Sequence, residues 1–366
     1  MPVYKNERRT IMYLNLKVNR YVIVCICLFI NCLGTVNAKV VPGTTRHKQP
    51  EKTPINKNYD NKLIETKTKV NLTLGTASES GVFYPVGRGI SKMINQRKLE
   101  YGLRFITYST SGSKYNLQAI RNGELDLAIS RFDLAYEAYR GIGSFEKQEP
   151  YKDLRYIATL YPMPIGIVVH KKSNIQELKD IKGKRVNIGN PGSGKRSVAN
   201  MIFKAMKWER SDFDRVTGLA TREMGNIFCY DGIDAIIELL GMPAEFYNKI
   251  THECLGRFIS VPRDVTFQIQ RENPFVEYGT IAAGLYPHNP EPVSTFQIGA
   301  VLLSSRQLSG DVISRVCETI FGNIDEFRKV HPALKNFSLN NIKKQKSFIP
   351  YHNGAIKFYR QQGLSM

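Results

Sequence analysis

Gly189-Asn190-Pro191-Gly192-Ser193-Gly194-Lys195-Arg196 is the stretch whose residue types come nearest to a known chemistry. A glycine-rich turn that opens a helix offers backbone N–H groups to an anion, and the helix dipole favours negative charge there. The run stops one residue short of the phosphate loop of nucleotide hydrolases. That loop needs Ser or Thr after its lysine to hold magnesium, whereas Arg196 stands there and Ser197 comes one place late. What remains is a glycine-rich turn whose N–H groups, backed by a helix dipole, would hold an anionic group, or else a mere tight connection. Two more Ser/Gly-rich loops repeat the pattern: Leu72-Thr73-Leu74-Gly75 continues through Thr76, Ser78 and Gly81 to Tyr84 and Pro85, and Phe105-Ile106-Thr107 continues through Ser109 to Ser113. At Ser130-Arg131-Phe132-Asp133 a guanidinium follows a strand end, where it could pair bidentately with a ligand carboxylate or form an ordinary surface salt bridge. The six histidines are scattered without metal-ligand spacing, and none sits in a Ser or Cys nucleophile motif. The expectation is therefore a binding site with no catalytic group, metal or cofactor.

The elements that must position these loops are legible from periodicity. Each loop follows a short apolar strand and precedes an amphipathic helix, marked by Val86, Ile90, Met93 and Ile94, by Leu117 and Ile120, and by Val198, Ala199, Ile202, Phe203 and Met206. Strand-loop-helix units build open α/β sheets whose ligands bind beyond the carboxyl ends of the strands. An internal echo, Asn122-Gly123-Glu124-Leu125-Asp126 against Asp231-Gly232-Ile233-Asp234, suggests one sheet per lobe. The apolar stretch Ile165–Val169 after Tyr161-Pro162-Met163-Pro164 reads as a crossing strand, and Ile281–Gly284 to Val301–Leu303 as the return. Two crossings make a hinge around a cleft.

With 366 residues the chain is long enough for two lobes, and its 42% hydrophobic content is that of a globular protein. Lys17 and Arg20 precede the apolar run Tyr21–Ile30, and Val36-Asn37-Ala38 offers a cleavage site, so residues 1–38 read as a secretory signal peptide whose start is Met1 or Met12. Residues 39–69 read as a flexible polar leader, 70–162 with 284–366 as one lobe, and 163–283 as the other. The formal net charge is +20, of which the signal carries five cations and one carboxylate. The rest is spread without a basic run interleaved with aromatics, which argues against nucleic acid and for a solvated surface that steers anions. Cys229, Cys254 and Cys317 remain after cleavage, an odd count that leaves at least one thiol free if any pair forms. In an oxidising compartment Cys229 and Cys254 would close a loop of about two dozen residues, adding roughly 3 kcal/mol.

Together these segments resemble the TAXI-type solute receptors of tripartite ATP-independent periplasmic (TRAP) transporters. The likeness runs from about Val70 to Gly363 and rests on an ordered set: Gly81-Val82-Phe83-Tyr84-Pro85-Val86-Gly87, Thr110-Ser111-Gly112-Ser113-Lys114-Tyr115-Asn116-Leu117, Gly123–Ala128, Leu178–Val186, Pro191–Gly194, Asp231–Ala235 and His352-Asn353-Gly354-Ala355. The resemblance implies a bilobal, periplasmic-binding-protein-like (type II) α/β fold with two lobes joined by hinge strands around a ligand cleft. It implies a periplasmic monomer that captures a small anionic solute, an amino acid or organic acid of which glutamate-like ones are an example, and delivers it to the TRAP membrane subunits. Carried over by motif, Thr76, Ser78, Tyr84, Ser111, Ser113, Ser130, Gly192 and Ser193 would line the cleft, and Cys229 and Cys254 match a cysteine pair of many relatives. Arg131 and Lys195 depart from the usual small or hydroxyl residues and so bear on ligand choice. The competing expectations are an exported binder of anionic polymers or surfaces and an exported α/β enzyme.

Overall fold

The protein is described by a computed structural model covering residues 70–79, 81–190, 194–230, 232–344 and 347–365. The expected signal peptide and leader, and Gly192 and Ser193, lie outside the described residues. The chain separates into two units, Met1–Pro54 and Ile55–Met366, and every described residue belongs to the second.

This second unit is mixed α/β, as the strand-loop-helix pattern requires. In its first half β1 (Val70–Gly75) runs parallel between β2 (Leu103–Tyr108) and β3 (Leu127–Arg131). Helix α1 (Phe83–Gln96) buries Val86, Ile90, Met93 and Ile94, the residues whose spacing marks its inner face. Helices α2 (Ser113–Arg121) and α3 (Phe132–Arg140) follow β2 and β3. In the second half β5 (Arg185–Asn187) is parallel to β6 (Arg215–Thr217) and β7 (Ala235–Leu239), with α4 (Gly194–Met206) after β5 and α5 (Thr221–Cys229) after β6.

One long strand joins the halves. β4 (Leu154–His170) pairs antiparallel with β10 (Val293–Ser305) as far as Pro164, and from Ile165 it pairs with β7 and then with β8 (Gly256–Ile259). The sheet order is β2-β1-β3-β10-β4-β7-β5-β6. The crossing strand is thus longer than the Ile165–Val169 run, because it continues back through Pro162 and Pro164. A strand with a ladder on one side tolerates proline where the missing N–H faces the open edge. The return strand begins at Val293 rather than at Ile281, which instead ends β9 (Val276–Ile281), the hairpin partner of β10.

The internal echo has a physical cause. Asp126 accepts from the Thr73 backbone N–H at 2.9 Å and from its hydroxyl at 2.9 Å, while the Thr73 hydroxyl oxygen accepts from the Asp126 N–H at 2.8 Å. Asp234 accepts from the Arg185 backbone N–H at 2.8 Å and returns its own N–H to the Arg185 carbonyl at 2.8 Å. In each half an aspartate at the mouth of one strand clasps the strand beside it, and so sets the register of the parallel pair.

Helices α6 (Glu245–His252) and α7 (Arg263–Glu272) belong to the second half, whereas α8 (Gly310–Gly322) and α9 (Asn353–Gln361) pack together against the first. His352 caps α9, its Nδ1 accepting from the Gly354 N–H at 3.1 Å. Burial pushes the His352 imidazole down to about 4. An unfolded chain takes up that proton near pH 6.5, so the stability due to the neutral ring is complete above that value and is lost as pH falls toward 4. Between pH 7 and pH 5 the loss is expected to be about 2 kcal/mol in urea unfolding. His352→Asn, which keeps a capping side chain, should flatten that acid limb; an unchanged slope would mean that other groups set it.

Candidate functional site

The carboxyl ends of β1, β2 and β3 are locked to one another by the residues of the first two loops. Thr76 is fully buried: its N–H and its hydroxyl both donate to the Tyr108 carbonyl, at 3.0 and 2.7 Å. The Thr76 carbonyl accepts from the Thr110 hydroxyl at 2.8 Å and from Asn116 Nδ2 at 2.7 Å. Asn116, also fully buried, donates in addition to the Ile129 carbonyl at 2.9 Å, which ties the end of β3 to both loops. Ser113 Oγ accepts from the Arg131 N–H at 3.0 Å, and Ser130 donates to the Arg131 carbonyl at 3.1 Å.

The structure therefore brings Thr76, Ser113, Ser130 and Arg131 together, with Asn116 as a junction that the sequence motifs alone do not single out. Ser78 and Ser111 are exposed on the same two loops. Tyr84 is half-buried and lines a separate groove between α1 and β2. The Arg131 guanidinium is buried against a carboxylate of its own chain. Its Nε donates to Asp133 Oδ1 at 3.0 Å and its Nη2 to Oδ2, with the Asp133 side chain fully buried. The partner is thus a buried carboxylate of the same chain rather than a surface one.

The second half carries a matching pair. Lys195, at the start of α4, makes an ion pair with Glu238 Oε2 at 2.6 Å and also reaches the Thr221 hydroxyl at the start of α5. Thr221 donates to Glu238 Oε2 at 3.1 Å, and the Leu239 N–H donates to Oε1 at 3.0 Å. The helix starts that follow β5 and β6 thus converge on a side chain near the end of β7 that is 0% exposed. Glu238 is a functional candidate absent from the loop motifs, although a lone carboxylate inside Ala235-Ile236-Ile237-Glu238-Leu239-Leu240 is a visible anomaly, since unpaired acids are rarely buried. Arg196, the residue that breaks the phosphate-loop pattern, donates through Nε to the Gly189 carbonyl at 2.8 Å and so braces the turn.

Between the halves lies Tyr161 of the shared strand. Its ring meets that of Phe83 edge-on, with centroids 6.5 Å apart at 65°. A side chain at Gly241, just past β7, would strike it: a Cβ there would lie 2.7 Å from Tyr161 Cε2 and 3.1 Å from Val82 Cγ2. Gly241 is required by this close approach, which brings the loop after β7 against the start of α1. The Tyr161 hydroxyl is buried without a hydrogen-bond partner among the described residues, and burial holds the phenol well above its ordinary range.

Cys229, the last residue of α5, is joined by a disulfide to Cys254, which precedes β8, and Cys317 is a buried free thiol. The bridge spans 25 residues. Cys229→Ser with Cys254→Ser is expected to lower unfolding free energy by about 3 kcal/mol, read from denaturant midpoints of oxidised and variant protein. Equal midpoints would mean that the bridge constrains nothing in the unfolded chain. Among the described residues no group of three or more His, Cys, Asp or Glu side chains could hold a metal ion.

Among solved structures, the chain is similar to the periplasmic aliphatic sulphonate-binding protein SsuA of Escherichia coli, at 14% identity over 80% of this chain and 88% of that one, with a TM-score of 0.43. It is likewise similar to a putative L-cystine ABC transporter of Listeria monocytogenes at 15% identity over 71% and 93% (TM-score 0.43). A third likeness is to MatC of Rhodopseudomonas palustris with bound malate, at 14% identity over 72% and 89% (TM-score 0.47). The profile of the NMT1-like family matches residues 74–363, from the end of β1 to just beyond α9. That span takes in nearly every described residue, and the chain belongs to the NMT1-like family.

Proposed function

We propose that this protein is an extracytoplasmic solute receptor that captures a small anionic solute, an amino acid or organic acid, and hands it to the membrane subunits of a TRAP transporter. The observation that carries the reading is the pairing of charges at strand carboxyl ends in both halves: Arg131 with Asp133 in one, Lys195 with Glu238 and Thr221 in the other. Open α/β sheets bind ligands at this edge. The ladder switch in β4 between Pro164 and Ile165 supports a division into lobes of residues 70–162 with 284–366 and of 163–283, and the junction of Val82, Tyr161 and Gly241 supports a hinge between them. Thr76, Ser78, Ser111, Ser113, Ser130, Arg131, Gly192, Ser193 and Lys195 are the proposed cleft residues, to which Glu238 and Tyr161 are added, whereas Tyr84 is left out because it lines the flanking groove. The apolar run before Ala38 supports export to the periplasm.

The test is a thermal-shift screen of the exported chain against amino acids, dicarboxylates and heparin. A ligand present at about a hundred times its Kd adds roughly 2.7 kcal/mol, a shift of a few degrees for a chain of this size. Stabilisation by a single small solute, without turnover, is the expected result. Salt-sensitive stabilisation by heparin alone would favour a polymer binder, and product formation an enzyme.

A further inference from the structure

The groove between α1 and β2 lies on the outer flank of the first half, since β2 is the outermost strand of the sheet. It has a volume of about 380 Å³. Three cations converge on it: Arg88 and Lys92, one helical turn apart on α1, and Arg104 on β2, all exposed. No carboxylate lines it, and none of the three makes an ion pair among the described residues. The next arginine along the chain shows the contrast, for Arg97 is paired with Glu100 at 2.6 Å and lies 3.7 Å from Glu318.

The Ser91, Thr107 and Asn95 side chains of the groove are already satisfied. Ser91 and Thr107 share a hydrogen bond of 2.6 Å, and the Asn95 amide clasps the Phe105 backbone in both directions, accepting from its N–H at 2.8 Å and donating to its carbonyl at 2.9 Å. These bonds pin helix to strand and hold the three cations around one groove, while the Arg88 guanidinium lies 5.9 Å from the Tyr84 ring centroid. Like charges one turn apart on a helix repel, and a third charge across the groove adds to the repulsion. Such a cluster is relieved by an anion of matching charge. Two guanidinium forks and an ammonium fit the several oxygens and multiple charge of a phosphate better than a single carboxylate, which would leave charge uncompensated.

We propose that this groove is a phosphate-binding site, separate from the strand carboxyl ends, which accepts a phosphate group from either a free phosphate or a lipid headgroup. The test uses the full exported chain and its Arg88→Ser/Lys92→Ser/Arg104→Ser variant in two arms. In the first, inorganic phosphate is titrated by calorimetry against chloride at matched ionic strength, because screening alone would mimic weak binding. In the second, co-sedimentation is measured with vesicles of phosphatidylglycerol and phosphatidylcholine, and with phosphatidylcholine alone. Binding in either arm that weakens at least about tenfold in the variant supports the site, and the arm that responds names the source. Binding that is no better than the controls in both arms overturns it, as does binding that the variant retains. All three side chains are exposed, so the variant should melt with the parent; if it does not, Arg104→Glu alone, on the edge strand, carries the same comparison. Solute affinity is measured separately, so failure of the phosphate site leaves the receptor reading untouched, and the reverse.

Discussion

Arg131→Ala is expected to destabilise the protein by about 3 kcal/mol or more, because it strands a carboxylate whose side chain is 0% exposed. Breaking one partner of a buried pair leaves an uncompensated charge, which is worse than never having had the pair. The bidentate contact makes this the strongest case in the first half, and the position of Asp133 in the first turn of α3 offsets only a small part of the loss, because the helix dipole balances only a fraction of its charge. The double variant Arg131→Ala/Asp133→Ala should recover much of the loss. The measurement is urea unfolding of both variants at neutral pH without solute. A single variant as stable as the parent would show that Asp133 reaches water when its partner is gone. The same cycle bears on ligand choice: if Arg131 is also a ligand contact, the double variant regains stability and still binds carboxylate solutes at least about tenfold more weakly. Unchanged affinity would remove Arg131 from the cleft.

The Lys195–Glu238 pair should behave asymmetrically. Lys195→Met leaves Glu238 buried, with the Thr221 hydroxyl and the Leu239 N–H as its remaining donors, and should cost about 3 kcal/mol. Glu238→Gln should cost only about 1 kcal/mol, since the Lys195 side chain is 21% exposed and its flexible stem can carry the ammonium to water. Lys195→Met/Glu238→Gln should lie near the milder single variant. Equal losses in the two single variants would overturn the claim that the carboxylate, rather than the ammonium, is the trapped charge. Chemical denaturation and the melting temperature of the three proteins decide it.

Much of the architecture is written in local spacing. The inner face of α1 follows from Val86, Ile90, Met93 and Ile94, because a helix that covers a sheet must repeat its apolar residues at the helical period. The echo around Asp126 and Asp234 is legible for a similar reason: both halves meet the same need for a side chain that satisfies the N–H of the neighbouring strand at its mouth. The limits of the crossing strands are not legible. The apolar run begins only after Pro162 and Pro164, and it is the one-sided ladder in that part of β4 that lets the strand continue back through them. Site residues are harder still. A serine in a loop looks the same whether its hydroxyl faces a ligand, as an exposed Ser78 or Ser111 could, or holds a backbone N–H, as Ser113 does for Arg131.

Charge shows the division most clearly. The sequence by itself determined the α/β class, the three loops at strand ends and the presence of Arg131, Lys195 and a lone Glu238, because period, turn chemistry and residue type are local properties. Only the tertiary structure decided what those charges do. Lys195, Thr221 and Glu238 are far apart along the chain and meet because three parallel strands end side by side. Arg131 and Asp133 are close in sequence, yet whether such a pair is a weak surface contact or a buried one depends on how much water the packing of β3 and α3 excludes, which no local pattern encodes.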